Sequence, residues 1–275
     1  MDQVISIAIN VDTRSNKDAQ GQMFDGVRSY DFLYEGVMNK VNFFRGYPIE
    51  VILFVDVHSE VPAEIQEAWK SIPNLTVCMS KHREYFGDQL YAKWNDHNFL
   101  QALYLARGYY TAHFDGDMNT FRSDDCKIID EMMKMVDSNE YTYISYPSPW
   151  SPGPVFNKTN EWDYWWASTR FFFCKRSALD FTEIEKCLRD SSYLYGTYGE
   201  KNKRCPWLEH VLGIIAGPGR VFYPPYEVEL ENYTIFSWNK YSEGTLKDLN
   251  KRSYNEVRRF LLDRGGISYP CDVSC

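Results

Sequence analysis

The paired carboxylates of Asp115-Gly116-Asp117 are the arrangement in this sequence best suited to chemistry. Because Gly116 has no side chain, the backbone can turn tightly and present both acids to a single cation. Hard oxygen ligands of this kind select Mg²⁺ or Mn²⁺, which keep open positions for phosphate oxygens. A cation held there neutralises the charge that develops on a departing diphosphate. The motif predicts a metal site, although by itself it is also compatible with an acidic turn on a solvated loop.

An apolar run of strand length precedes each of three polar clusters, and these runs occupy 4–9, 48–56 and 109–114. The clusters contain Asn10 and Asp12, then Asp56, then Asp115. Segments with helical spacing separate the runs, over 26–44, 62–72 and 88–107, and a further strand is predicted over 75–79. Alternating strands and helices indicate an α/β fold with a mostly parallel sheet, and ligands bind at the carboxyl ends of such strands. All three clusters fall where that rule expects a ligand.

The second half of the chain has a less regular pattern. A strand is predicted over 170–174, and helices over 177–189, 207–216 and 245–264. The stretch over 145–166 is rich in proline and tryptophan, which is typical of a lid or binding loop and also of a surface excursion without catalytic meaning. Aromatic rings suit carbohydrate faces. The candidate walls for a sugar or an acceptor are Trp150, Trp162, Trp165 and Trp166.

Length, charge and composition narrow the function classes. We predict that residues 1–275 form one domain, with a ligand-binding half over 1–120 and an acceptor-binding half over 121–275. The net charge of −8 argues against nucleic acid as the main partner. The sequence contains no apolar stretch long enough to cross a bilayer and no pattern typical of a signal peptide, so we expect a protein of the cytoplasm. The oligomeric state is not indicated.

The run over 106–117, Ala-Arg-Gly-Tyr-Tyr-Thr-Ala-His-Phe-Asp-Gly-Asp, resembles the approach to the metal motif in GT-A glycosyltransferases, especially the family 2-like group. The resemblance covers about the first 120 residues and, more faintly, 205–215. It implies a GT-A-like fold, a nucleotide-sugar donor (a UDP-, GDP- or dTDP-sugar) and a glycan or other hydroxyl acceptor. It also implies that Asp115 lies near the ribose or the metal and that Asp117 is a direct metal ligand. Asn10, Asp12 and Asp56 would border the nucleotide.

Two features depart from the family pattern. The second strand of the family often ends in Val-Asp-Asp-Gly-Ser, whereas this chain has Val57 where the second Asp is expected. Recognition of the base would then depend on Asp56 or on other groups. Lys93 lies in an Ala-Lys-Trp-Asn segment similar to an Ala-Arg-Asn segment of the family, but further upstream. Lys93 and Arg83 are candidate cations for the diphosphate, or else ordinary solvated charges.

The family places an acidic residue near a short helix after the metal motif, where it acts as the base. Glu209 matches that place, and a carboxylate there can deprotonate an acceptor hydroxyl that attacks opposite the diphosphate, which inverts the anomeric centre. The family commonly has Glu-Asp, whereas this chain has Glu209-His210, so either residue is a candidate base. As a third metal ligand His210 would instead favour a retaining enzyme. A helix start with a surface Glu and a packed His is the alternative without catalysis.

The resemblance and the residues together predict a metal-dependent glycosyltransferase. A sugar-phosphate nucleotidyltransferase would also place carboxylates at a parallel sheet, but residues 9–21 lack the glycine density of its phosphate loop. A non-catalytic carbohydrate-binding protein is the other alternative. The adjacent carboxylates argue against it, because simple glycan binding does not need paired negative charges.

Overall fold

A computed structural model of the chain describes residues 4–11, 30–55, 61–79, 94–116, 118–146, 167–189, 208–217, 219–222 and 232–237. No helix in these ranges has the length and apolar character needed to cross a bilayer. The predicted helix over 245–264 lies outside the described residues, as does the proline- and tryptophan-rich stretch over 145–166 apart from Ser145 and Tyr146.

The first four strands form where the sequence has apolar runs. They are β1 (Ile5–Val11), β2 (Ile49–Val55), β3 (Leu75–Met79) and β4 (Tyr110–Phe114). Every residue of β1 and β4 is buried. A strand that is apolar on both faces has to be covered on both faces, so these runs become inner strands of a sheet. The strand predictions for this part of the chain are confirmed.

Helices connect these strands at the predicted places. They are α1 (Tyr30–Phe43), α2 (Ala63–Trp69) and α3 (Trp94–Leu105). Pro62 precedes the first residue of α2, where the missing N–H of a proline removes no helical hydrogen bond. Gly108 lies beyond the end of α3 and packs against β1.

The remaining elements come after β4 in the chain. They are β5 (Met118–Arg122), α4 (Ile128–Asp137), β6 (Tyr143–Ser145), β7 (Phe171–Lys175), α5 (Phe181–Arg189), α6 (Leu208–Ala216), β8 (Val221–Phe222) and β9 (Tyr233–Ser237). The sequence predicted only β7 and α6 among these with matching bounds.

The prediction of a single helix over 177–189 is wrong at its start. Ser177 lies in a short 3₁₀ turn, and Leu179 is extended with φ −94° and ψ 91°. The Asp180 side chain then accepts a hydrogen bond from the backbone N–H of Glu183 at 3.0 Å. This is an N-terminal cap, so α5 begins after Asp180 rather than continuing from the 3₁₀ turn.

The described strands form a seven-stranded sheet in the order β3-β2-β1-β4-β7-β6-β8, and β5 pairs with β9 in a separate ribbon. Strand β7 is antiparallel to both of its neighbours, β4 and β6, whereas the other pairs in the large sheet are parallel. Residues of β7 alternate between two hydrophobic clusters, one containing α1 and α4 and the other containing α3, α5 and α6. The predicted α/β class, with a mostly parallel central sheet flanked by helices, is therefore confirmed.

Candidate functional site

The carboxyl ends of β1 and β4 bring two predicted site residues together. The strands are parallel neighbours with Ile9 opposite Phe114, so the residues that follow, Asn10 and Asp115, emerge side by side. The amide nitrogen Nδ2 of Asn10 donates a long hydrogen bond of 3.5 Å to Oδ1 of Asp115. The parallel pairing thus brings the two residues together at the edge where the sequence predicts a ligand, and the binding of a ligand there stays a prediction.

Gly116 allows the chain to turn directly after Asp115. A methyl group at its α-carbon would lie 2.8 Å from the carbonyl oxygen of Asn10, closer than real side chains approach, so a residue with a side chain would push the turn away from β1. The N–H of Met118 donates to the carbonyl oxygen of Asp115 at 3.1 Å and closes the turn. The glycine is therefore required by the close approach of two backbones.

The oxygen atoms near this turn suit a hard cation. Asp115 contributes a half-buried carboxylate, and Oδ1 of the buried Asn10 has no hydrogen-bond partner among the described residues. A buried acceptor without a partner is costly, and a ligand donor or a cation would satisfy it. Within the described ranges no group of three or more His, Cys, Asp or Glu residues is placed to hold a metal ion. Asp117, the second acid of the motif, lies outside those ranges.

Glu209 lies in the first turn of α6 and is held by the segment that leads into β7. Its Oε1 accepts hydrogen bonds from the N–H of Thr169 at 2.9 Å, from Oγ of Ser168 at 3.0 Å and from Oγ1 of Thr169 at 3.4 Å. The backbone carbonyl of Glu209 accepts from the N–H of Ala167 at 2.9 Å. The hydrogen bonds that Oε1 accepts fix the orientation of the half-buried carboxylate of Glu209.

The same segment also holds Asp115. Because β7 is antiparallel to β4, the residues before β7 lie beside the residues after β4. The N–H of Asp115 donates to the carbonyl oxygen of Arg170 at 2.8 Å, next to the Thr169 that holds Glu209. Residues 168–170 therefore connect the backbone of Asp115 to the carboxylate of Glu209, although the two acids are 94 positions apart in the sequence (209 − 115).

His113 is part of this network and is a core residue. It is fully buried, and its Nδ1 contacts the carbonyl oxygen of Thr169 at 2.6 Å, so Nδ1 carries the proton. Burial lowers the pKa of His113 to about 3, and only the hydrogen bond to Thr169 opposes this shift. The ring is neutral at physiological pH, and Nε2 has no partner among the described residues.

Other predicted site residues cannot be placed in this geometry. His210 is part of α6, but its side chain is not described. The remaining candidates lie outside the described residues, namely Asp12, Asp56, Arg83, Lys93, Asp117, Trp150, Trp162, Trp165 and Trp166.

The sequence did not single out the residues that hold the two acids. Ser168 and Thr169 belong to no motif that the sequence analysis could identify. Their position beside the residues after β4 depends on the direction of β7. Lys40 is 1% exposed and donates to the carbonyl oxygen of Gly116, although a lysine in a helix is normally assigned to the surface. Lys40 comes three residues after Val37 and one residue before Val41, and both valines are buried. This helical spacing was the available indication in the sequence that Lys40 lies on the buried face of α1.

No protein-family model matches the sequence, and no curated protein matches it. Several solved structures have a distant structural similarity to the chain. S. aureus TarS 1–349 has a TM-score of 0.45 and 12% identity over 84% of this chain and 59% of that one. The galactosyltransferase LgtC, in complex with donor and acceptor sugar analogues, has a TM-score of 0.47 and 9% identity over 96% and 84%. TarS 1–349 in complex with UDP-GlcNAc has a TM-score of 0.40 and 11% identity over 84% and 57%. This chain therefore spans less than two thirds of the length of TarS 1–349.

Proposed function

We propose that the chain is a metal-dependent glycosyltransferase that moves a sugar from a nucleotide-sugar to an acceptor hydroxyl. The observation that carries the proposal is the attachment of Asp115 and Glu209 to the same segment, 168–170. One carboxylate is suited to the donor and the other to the acceptor, and a transfer reaction needs both at one place. The GT-A resemblance of the run over 106–117 supports the same reaction.

The donor would bind at the turn after β4. Asp115, with Asp117, would hold Mn²⁺ or Mg²⁺, which when bound offsets the negative charge of the diphosphate leaving group. Asn10 lies beside Asp115, and its Oδ1 would accept a hydrogen bond from the nucleotide. Asp12 and Asp56 follow the first two strands in the sequence and would border the nucleotide at the same edge of the sheet.

Glu209 would act on the acceptor. Its carboxylate takes the proton of the acceptor hydroxyl while the hydroxyl oxygen forms a bond to the anomeric carbon. The bond from that carbon to the diphosphate breaks, and its electron pair leaves with the diphosphate. The hydrogen bonds from Ser168 and Thr169 to Oε1 keep the carboxylate in one orientation for this step. Attack opposite the leaving group inverts the anomeric centre, which makes an inverting enzyme our preferred form of the proposal.

Release of nucleoside diphosphate tests the proposal. We expect that one member of a panel of UDP-, GDP- and dTDP-sugars, mixed with glycan acceptors, gives free diphosphate with Mn²⁺ and none with a chelator. The anomeric configuration of the product, read by proton NMR, separates an inverting enzyme from a retaining enzyme that uses His210 as a metal ligand. Pyrophosphate formed from a nucleoside triphosphate and a sugar phosphate would instead identify a nucleotidyltransferase, and glycan binding without turnover would identify a binding protein.

A further inference from the structure

Lys40 is an unusually placed cation. It lies in the last turn of α1 with 1% of its surface exposed, yet lysine is almost never fully buried unless its charge is compensated. Removing an ammonium group from water costs free energy that hydrogen bonds must offset. The hydrogen bonds of the Lys40 side chain therefore indicate which parts of the structure it stabilises.

The ammonium group of Lys40 holds two backbone carbonyls. Its Nζ donates to the carbonyl oxygen of Gly36, one helical turn earlier, at 3.1 Å and to the carbonyl oxygen of Gly116 at 3.2 Å. Gly116 is the middle residue of the acidic motif, and an added Cβ atom there would lie only 2.8 Å from the carbonyl oxygen of Asn10. The turn is thus held by β1 on one side and by α1 on the other.

The preceding residue of α1, Asn39, holds the strand that follows the motif. Its Oδ1 accepts from the N–H of Thr120 at 2.7 Å, and its Nδ2 donates to the carbonyl oxygen of Thr120 at 2.7 Å. Asn39 is 7% exposed, so water does not compete for these bonds. The side-chain amide therefore pairs with β5 in the way that a neighbouring strand would.

Together these contacts attach α1 to both sides of Asp117. Gly116 comes one residue before that acid and Thr120 three residues after it. Two adjacent helix residues, each buried, thus fix the path of the backbone on either side of the predicted metal ligand. Groups that orient metal ligands from behind typically change metal affinity or activity 10–100-fold when they are removed, as an order of magnitude.

We propose that Lys40 is a positioning residue for the metal site, and that it holds the Asp115-Gly116-Asp117 turn through the Gly116 carbonyl without contacting the substrate. This inference rests on the proposed function, because it requires a divalent cation at the turn. Its role is to fix the backbone of Gly116, which directly follows Asp115 and directly precedes the predicted ligand Asp117 in the sequence.

Mn²⁺ binding to the full chain tests the inference. Free Mn²⁺ is measured by electron paramagnetic resonance as MnCl₂ is titrated into wild type, Lys40→Met and Lys40→Arg. We expect the dissociation constant to rise about tenfold or more in Lys40→Met. Lys40→Arg keeps a cationic donor and should restore most of the affinity. If Lys40→Met does not fold, Lys40→Gln serves in its place, with the same expected direction.

A destabilised control separates positioning from general loss of packing. Val136→Ala opens a space in the buried face of α4 and should lower the melting temperature without changing Mn²⁺ affinity. If wild type binds Mn²⁺ and Lys40→Met binds it equally well, the role of Lys40 is overturned while the proposed function stands. If wild type binds no Mn²⁺, with or without UDP, the metal-dependent function fails, and the role of Lys40 fails with it.

Discussion

A glycine flanks each end of β4, and both glycines pack directly against β1. At the amino end, a methyl group on Gly108 would lie 2.6 Å from the carbonyl oxygen of Val4 and 2.7 Å from the backbone nitrogen of Ser6. At the carboxyl end, a methyl group on Gly116 would lie 2.8 Å from the carbonyl oxygen of Asn10. At both ends of β4, therefore, a glycine allows the backbone to approach that of β1 closely.

The polar groups around the two glycines differ. At the amino end, Oε1 of Glu50 accepts from the N–H groups of Arg107 at 2.7 Å and Gly108 at 3.1 Å, and Ser6 donates to the same oxygen. At the carboxyl end, Oδ1 of Asn10 has no partner among the described residues, and its amide makes only a long bond to Asp115. The amino end satisfies its own hydrogen bonds and stabilises the fold, whereas at the carboxyl end we propose that a ligand supplies the partner of Asn10 Oδ1.

The largest expected effect concerns the acid that shares segment 168–170 with Asp115. Glu209→Gln keeps an oxygen that can accept the bonds from Ser168 and Thr169, but it cannot take a proton. We expect kcat to fall about 10²–10⁴-fold while the melting temperature stays close to that of wild type. Steady-state kinetics and calorimetry measure the two quantities. A Gln variant with full activity would show that Glu209 only anchors α6.

The two glycines give a matched pair of variants for the comparison itself. Gly108→Ala and Gly116→Ala each force a methyl group against backbone atoms and should each cost about 1–3 kcal/mol of stability. Only Gly116→Ala should also weaken Mn²⁺ binding, because only that turn carries the acids. Urea unfolding and Mn²⁺ titration of both variants check this. Equal metal affinity in the two would remove the distinction between the ends.

The smallest expected effect is an alkaline loss of stability at the amino end of the sheet, where Tyr47 precedes β2. Burial raises the pKa of Tyr47 from 10.0 to about 12, and the hydrogen bond to Asp130 adds to the shift. The contribution of this phenol is complete below pH 10 and is lost as the pH rises through 12, because the unfolded chain releases the proton first. Melting temperatures should fall less steeply over this range in Tyr47→Phe. An identical pH profile in that variant would contradict the assignment.

Sequence reasoning described the first half of the fold well because its signals are local. The segments of β1, β2 and β4 contain more apolar residues than a strand at the surface requires. Their burial could therefore be predicted from the sequence. The helix α4 was missed even though Ile128, Ile129, Met132 and Val136 have helical spacing and are all buried. The pairing of β5 with β9 joins residues more than a hundred positions apart, such as Arg122 and Tyr233, and no local pattern indicates it.

The candidate site likewise has one part that could be predicted from the sequence and one part that could not. The neighbourhood of Asn10 and Asp115 follows from the rule for parallel strands, so the sequence was sufficient to predict it. The attachment of Glu209 to that neighbourhood depends on β7 running antiparallel to β4, which composition and spacing do not reveal. Lys40 was missed because its charge suggested the surface, whereas it is buried and donates to the carbonyl oxygens of Gly36 and Gly116.

The most direct test of a metal and diphosphate site at the carboxyl end of β4 is thermal denaturation with UDP, GDP and dTDP, each with and without Mn²⁺. We predict stabilisation by one nucleotide that requires Mn²⁺, about 2–3 kcal/mol at a hundredfold excess over the dissociation constant. Asp115→Asn should abolish this stabilisation, and Asp125→Asn, which changes an exposed acid ten positions away, should retain it. Stabilisation that does not need Mn²⁺, or that persists in Asp115→Asn, would contradict the assignment of this turn as the metal site.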